Sequence, residues 1–355
     1  WIFIVLFLNA FVFGLIGNFL VCYVIWKNNH LRTVTNSFLM NLAVADFMVI
    51  LICLPPTLTH HITESWFLGG AMCKIVGYIQ DVSVLVSVLT LTAISVERYL
   101  AICNPLSFRE IQFKTNFAII VIWAISMIVS LPNLVFLTLV PDEIIPSSLS
   151  PLLTSCKPSN SERELQYQIF LVAVFYILPI YVMAFNYVKI GRCLWISTTT
   201  GTVAYAIGTD LQPGHLLSRR RTARMLIVVV VVFILSYLPV YLLNILRYVG
   251  VLGAIKNDDA TVAIALTSHF LCYFNSAMNP VIYNFMSGKF RKEFRTACVW
   301  CTRMTNKRKE GITPETNSLN MRRYNSCQLF MSRSAACPYR IQFGKISISD
   351  FPDFF

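Results

Sequence analysis

The chain is 355 residues long, 56% hydrophobic and 13% charged, with a net charge of +12 and a mean hydropathy of +0.64. A soluble protein of this length needs more charge on its surface. Long apolar runs such as Met225–Leu235 do not alternate, which excludes a porin-like barrel of short alternating strands and leaves an all-α membrane bundle.

A helical span needs roughly 20 apolar residues, and seven are predicted, over about 1–26, 36–59, 73–102, 117–140, 166–190, 224–249 and 261–286. The first opens directly at Trp1 in an apolar run, so an extracellular leader is expected ahead of it. The second carries Asp46 and ends near Pro55 and Pro56. The third holds Gln80, Asp81, Glu97 and Arg98, so its neighbours must shelter it from lipid. Pro132, Pro179, Pro239 and Pro280 interrupt spans four to seven; each removes a backbone bond and permits a kink. Phe233 and Tyr237 flank the hinge at Pro239. A short amphipathic stretch, read as an eighth helix, closes a membrane-spanning body over 1–298; the basic, Ser/Thr/Asn-containing tail 299–355 is expected to be mostly disordered.

Charge sets the topology. Lys27, Arg32, Arg98, Arg109, Lys114, Lys189, Arg192, Arg219, Arg220, Arg221 and Arg224 cluster on one side against Glu97, Glu110 and Asp210, while the other side carries Glu64, Asp142, Glu143, Glu162, Glu164, Asp258 and Asp259 against Lys74, Lys157, Arg163, Arg247 and Lys256. The positive-inside rule places the first set in the cytosol, the start of the chain outside and the tail inside. The net charge is then a sorting signal and an attraction to anionic lipid, and nucleic-acid binding is not expected.

Cys73 and Cys156 both face the oxidising side and are predicted to form a disulfide. Cys298 and Cys301 follow the amphipathic stretch and are palmitoylation candidates. The histidines have no zinc-ligand spacing. The spans hold no nucleophile–base pair, which argues against an enzyme, and the lack of an internal repeat argues against a transporter built around Asp46.

Polar groups at membrane depth need a reason. Asp46, Asn18, Ser87, Asn275, Ser276 and Asn279 lie at similar depth on different spans. They either hold a small cation such as Na+ or a proton, or glue the bundle by hydrogen bonds. Arg98 sits at the cytosolic end of span three beside Glu97 and Tyr99, with Tyr187 and Tyr283 within reach from other spans. An arginine that can leave its carboxylate for a partner's carbonyls is a two-state element; the alternative is a cation snorkelling at a helix end.

Taken together, Asn18, the run Leu42-Ala43-Val44-Ala45-Asp46, Trp66 before Cys73, Glu97-Arg98-Tyr99, Trp123, Pro179 with Tyr187, Pro239, and Asn279-Pro280-x-x-Tyr283 resemble the rhodopsin-like G-protein-coupled receptors. The finer motifs, among them Arg221-Thr222-Ala223-Arg224-Met225-Leu226, Tyr237-Leu238-Pro239 and Asn284-Phe285-Met286-Ser287-Gly288-Lys289-Phe290-Arg291, look like the orexin and allatotropin peptide receptors. Departures from that type are His61 where Asp is usual, Gly77 for Pro, Ser236 for Cys, and Tyr99 where Trp is usual.

The resemblance implies a seven-helix receptor in the plasma membrane for an extracellular, C-terminally amidated neuropeptide. It places Gln80, Asn133, Tyr167, Asn244, His269 and Tyr273 in the ligand pocket, with Thr57 at its rim. Amide side chains suit an amidated terminus because they donate and accept without a counter-charge. Asp81, one position beyond Gln80, is expected to face another direction. The implied partners are a heterotrimeric G protein, Gq-type first, with arrestin, receptor kinases and membrane lipids, and no cofactor is implied beyond the candidate Na+. The alternatives are a receptor of the neuropeptide FF-like or cholecystokinin-like groups, and, further off, an ion-coupled transporter.

Overall fold

The computed structural model describes residues 2–104, 115–141, 154–199, 213–249 and 258–297. Helix α1 is Ile2–Lys27, α2 is Val34–Thr63, α3 is Gly69–Cys103 and α4 is Thr115–Phe136. Helix α5 runs from Ser161–Leu171 through a wide turn, Val172–Ile177, into Leu178–Thr199. Helix α6 is Pro213–Tyr248, α7 is Asp258–Met286, and the short α8 covers 288–297. The first six are long and apolar enough to cross a membrane. Helix α7 is diluted by Ser268, Asn275, Ser276 and Asn279, all of which it buries. That polar content is sheltered inside the bundle beside buried Tyr273, Ala277, Ile282 and Tyr283. Cys298, Cys301 and the tail 299–355 lie outside the described residues.

The prolines do different work in different helices. In α2 the wide turn Val49–Cys53 precedes Pro55, and in α5 Val172–Ile177 precedes Pro179. Such π-type turns absorb the missing N–H and the ring's bulk without ending the helix. In α7, Pro280 deprives the Ser276 carbonyl of its helical donor. The Asn18 side chain from α1 replaces that donor, its Nδ2 lying 3.0 Å from the carbonyl oxygen. Gly17 makes the approach feasible, because a Cβ there would sit 2.8 Å from a Pro280 ring carbon.

Two predicted boundaries are corrected. Helix α4 ends at Phe136 rather than near 140, and the chain turns extended into β1, Leu137–Pro141, which pairs antiparallel with β2, Thr154–Pro158, with Leu139 opposite Cys156. An apolar run is equally compatible with helix and strand, so hydropathy alone placed the end too late. Helix α5 begins at Ser161 rather than near 166, because Asn160 caps it, accepting from the backbone N–H groups of Glu162 and Arg163 at 3.0 Å each.

Helix α3 is the central post, packing on α2, α4 and α5, while α1 packs on α2 and α7, and α6 on α7. Asn41 ties three helices at one point: it donates to Thr90 on α3 at 2.8 Å and accepts from the Trp123 indole on α4 at 2.8 Å. Large apolar side chains such as Phe13, Phe117, Ile120, Trp195 and Leu235 are exposed on the outer faces, as a lipid-facing surface requires.

Candidate functional site

The outer end is stitched shut on one side. Cys73 at the start of α3 and Cys156 on β2 form the predicted disulfide. Trp66 N–H donates to the Thr154 carbonyl at 2.6 Å, the Thr154 hydroxyl donates back to the Trp66 carbonyl at 2.7 Å, and Thr154 N–H reaches Ser65 Oγ at 3.1 Å. Leu137 on β1 lies directly over Gly77, where a Cβ would collide with it. The absence of a side chain at Gly77 therefore lets the hairpin rest on α3.

The expected pocket residues gather at this mouth in pairs. Thr57 and Tyr273 bond through their hydroxyls at 2.9 Å, joining α2 to α7. His269 Nδ1 lies 3.0 Å from His61 Nε2, joining the same helices nearer the outside. Asn133 at the end of α4 donates to Asp81 Oδ2 at 2.5 Å, and the Tyr167 hydroxyl on α5 lies 3.1 Å from the same oxygen and 3.1 Å from the Val129 carbonyl. Asp81, expected to face another direction, is instead the acceptor that gathers Asn133 and Tyr167. A one-residue step on a helix turns the side chain by roughly 100°, yet the neighbouring helices α4 and α5 close around that direction. Gln80 and Asn244 are half-buried, and among the described residues neither side chain has a hydrogen-bond partner.

At mid-depth, Asn279 donates to Asp46 Oδ2 at 2.7 Å. The carboxyl is 1% exposed, and among the described residues its Oδ1 and the buried side-chain oxygens of Asn18, Asn275 and Asn279 have no hydrogen-bond donor. Ser87 and Ser276 are buried at this level too. Acceptor oxygens around one carboxylate, short of donors, are the ligand set of a hard cation. Asp46, Asn18, Asn275 and Asn279 are the residues that would hold the candidate Na+, by electrostatic attraction to their oxygens.

At the inner end, Arg98 is held by its neighbour Glu97: Nε lies 2.6 Å from Oε2, and Nη2 closes the fork on Oε1. Glu97 is 2% exposed and accepts a third bond, 3.1 Å from the Thr35 hydroxyl on α2. Thr35 is not legible in the sequence, because a threonine at the start of an apolar span carries no signal by itself. Among the described residues the buried hydroxyls of Tyr187 and Tyr283 have no partner, and Tyr99 packs on Ile102, Ile190 and Ala223. Above them the rings of Phe233 and Tyr237 lie 4.7 Å apart on α6, below Pro239, and Tyr283 stacks toward Phe290 of α8 at 5.8 Å.

The description "7 transmembrane receptor (rhodopsin family)" matches residues 17–283. Neuropeptide FF receptor 1 of Rattus norvegicus is 34% identical over 302 residues, covering 83% of this chain and 69% of the rat protein. Neuropeptide FF receptor 1 of Homo sapiens is 34% identical over 331 residues, covering 90% of this chain and 76% of the human one.

Proposed function

The chain belongs to the rhodopsin family of seven-transmembrane receptors, multi-pass plasma-membrane proteins that signal rather than catalyse, and we propose that it responds to an extracellular, C-terminally amidated neuropeptide of the neuropeptide FF type and activates a heterotrimeric G protein. The observation that carries this reading is the likeness to two neuropeptide FF receptors along most of the chain. Neither is an orexin or allatotropin receptor, so that finer reading of the motifs gives way to the neuropeptide FF-like alternative. The unpaired amides of Gln80 and Asn244 at the mouth support an amidated terminus, since each can both donate to it and accept from it.

The peptide end enters the mouth framed by Thr57, Gln80, Asn133, Tyr167, Asn244, His269 and Tyr273. It shifts the population only as far as it binds the active packing more tightly than the resting one. Repacking of Phe233 against Tyr237 lets the cytosolic part of α6 swing about Pro239. The polar layer of Asp46 and Asn279 next to Pro280 passes the change to Tyr283. Arg98 then exchanges Glu97 for carbonyls of the G protein, and the hydroxyls of Tyr187 and Tyr283 gain the partners they lack. A Gq-type protein is the first candidate, with arrestin and receptor kinases acting on the same cytosolic face.

The test is nucleotide exchange on purified heterotrimers with neuropeptide FF, and with orexin, allatotropin and cholecystokinin as competitors. The expected result is a response to the first at the lowest concentration. Gln80→Ala should weaken that response by about 5- to 150-fold, the cost of a buried polar group left unpaired, while surface expression holds. Unchanged potency would remove Gln80 from the pocket, and silence toward all four would end the reading.

A further inference from the structure

His61 and His269 stand 208 positions apart, so no spacing along the chain pairs them; the packing of α2 against α7 does. His61 Nε2 lies 3.0 Å from His269 Nδ1, with the ring centroids 5.1 Å apart and the rings tilted by 44°. The register is set one turn deeper, where Thr57 and Tyr273 bond through their hydroxyls at 2.9 Å. Thr57 and His61 are one helical turn apart on α2, and so are His269 and Tyr273 on α7, so each pair shares a face of its helix. A bond at one level therefore aims the two imidazoles at each other at the next. Phe7 of α1 backs the arrangement: its ring lies 6.1 Å from His61 and meets Phe270 and Tyr273 edge-on at 5.6 Å and 6.0 Å.

A neutral imidazole carries one N–H and one lone pair, so the contact between the rings holds a single proton. Moving that proton to the far nitrogen of its own ring frees both facing lone pairs for a metal ion. Two nitrogens bound to one tetrahedral Zn2+ lie about 3.3 Å apart, a few tenths of an ångström from the observed separation. Both rings are half-buried at the mouth, and among the described residues the bond they share is the only hydrogen bond of either. Among the described residues no group of three His, Cys, Asp or Glu side chains converges on one point. His60 is close, but its ring leans on Trp66 at 6.0 Å, and neighbours on a helix point about 100° apart. The Arg247 charge bears on His269 from α6; that side chain is exposed, where solvent and salt screen it. The geometry points to a two-histidine site, His61 with His269, for a transition-metal ion of the Zn2+ type, water completing its shell. Imidazole nitrogens favour such an ion over the hard cations Mg2+ and Ca2+. Bound there, the ion cross-links α2 to α7 and withdraws His269 from an entering ligand, so it opposes the agonist. That consequence rests on the peptide-receptor reading; the metal site itself does not.

The test uses the full receptor, carrying no histidine tag, in nanodiscs cleared of metal with a chelator. Micromolar Zn2+ should raise its melting temperature and Mg2+ should not. His61→Ala and His269→Ala should each abolish the rise, and His60→Ala should keep it. The milder His61→Gln and His269→Asn put an amide where the facing nitrogen was, so the helices stay joined while the imidazole ligand is lost; they should also abolish the rise. A rise that survives in these variants, that Mg2+ reproduces, or that His60→Ala removes equally overturns the site, as does the absence of any rise. In nucleotide exchange, Zn2+ should move the neuropeptide FF response to concentrations about 5- to 150-fold higher, the usual range of coupling between two sites, and His61→Gln should remove that shift. If Zn2+ stabilises through both histidines and potency is unchanged or improved, the opposition to the agonist is overturned. If neuropeptide FF is inert and Zn2+ still stabilises through both, the site stands and the ligand type falls.

Discussion

The outer and inner halves of the bundle treat their polar groups differently. At the mouth, Thr57 has Tyr273, His61 has His269, Asn133 has Asp81, and a disulfide and three backbone-directed bonds pin the hairpin. Toward the cytosol the bonding capacity is only partly used. Of the eight buried side-chain atoms without a partner among the described residues, six belong to Asn18, Asp46, Asn275, Asn279, Tyr187 and Tyr283. Unmade bonds are tolerated when a second arrangement, or a bound ion, makes them. A mouth pinned by its hairpin, with Gln80 and Asn244 left to meet a ligand, above a core with bonds still to make is a construction in which a ligand can select between two packings of the lower half.

The largest blow to that contrast is Cys73→Ser. Opening a loop with a sequence separation of 83 removes about 2–5 kcal/mol by experience with native disulfides. The expected outcome is a sharply lower melting temperature and surface level, and a melting curve matching the parent would mean that the stitching bonds alone fix the mouth. Next comes Glu97→Gln, which turns the charged clamp on Arg98 into a neutral contact. A charge-assisted bond contributes about 1.5–3 kcal/mol, so ligand-free nucleotide exchange should rise by roughly tenfold or more. If basal exchange stays put, the clamp does not hold the resting state. The smallest effect concerns the ion. Sodium should weaken agonist affinity severalfold, a coupling of about 1 kcal/mol, and Asp46→Asn should remove that dependence. A variant that keeps the sodium response would relocate the cation away from Asp46.

Much of the frame was legible in the residues because the membrane makes polar placement expensive. Arg98, Asp46 and Asn279 stood out for that reason, and the structure brings Asp46 and Asn279 together at 2.7 Å. The pairing of Cys73 with Cys156 was readable because both sit on the oxidising face. Three other features were not. The β1–β2 hairpin was hidden because its apolar residues read as more of α4. The role of Asp81 was hidden because it depends on Asn133 and Tyr167 arriving from two other helices. Glu164 was counted only as an outer-face charge, since nothing in its local sequence says that α5 turns it inward while Glu162 faces water.

Seven crossings, their orientation and the identity of the costly polar residues follow from the sequence, because hydropathy and charge act on each span separately. Which oxygens remain without donors was decided only by the packed bundle. Hydrogen-bond pairing across helices depends on their rotation and depth, and these are set by contacts such as Gly17 against Pro280, in which residues far apart in the chain must fit at once.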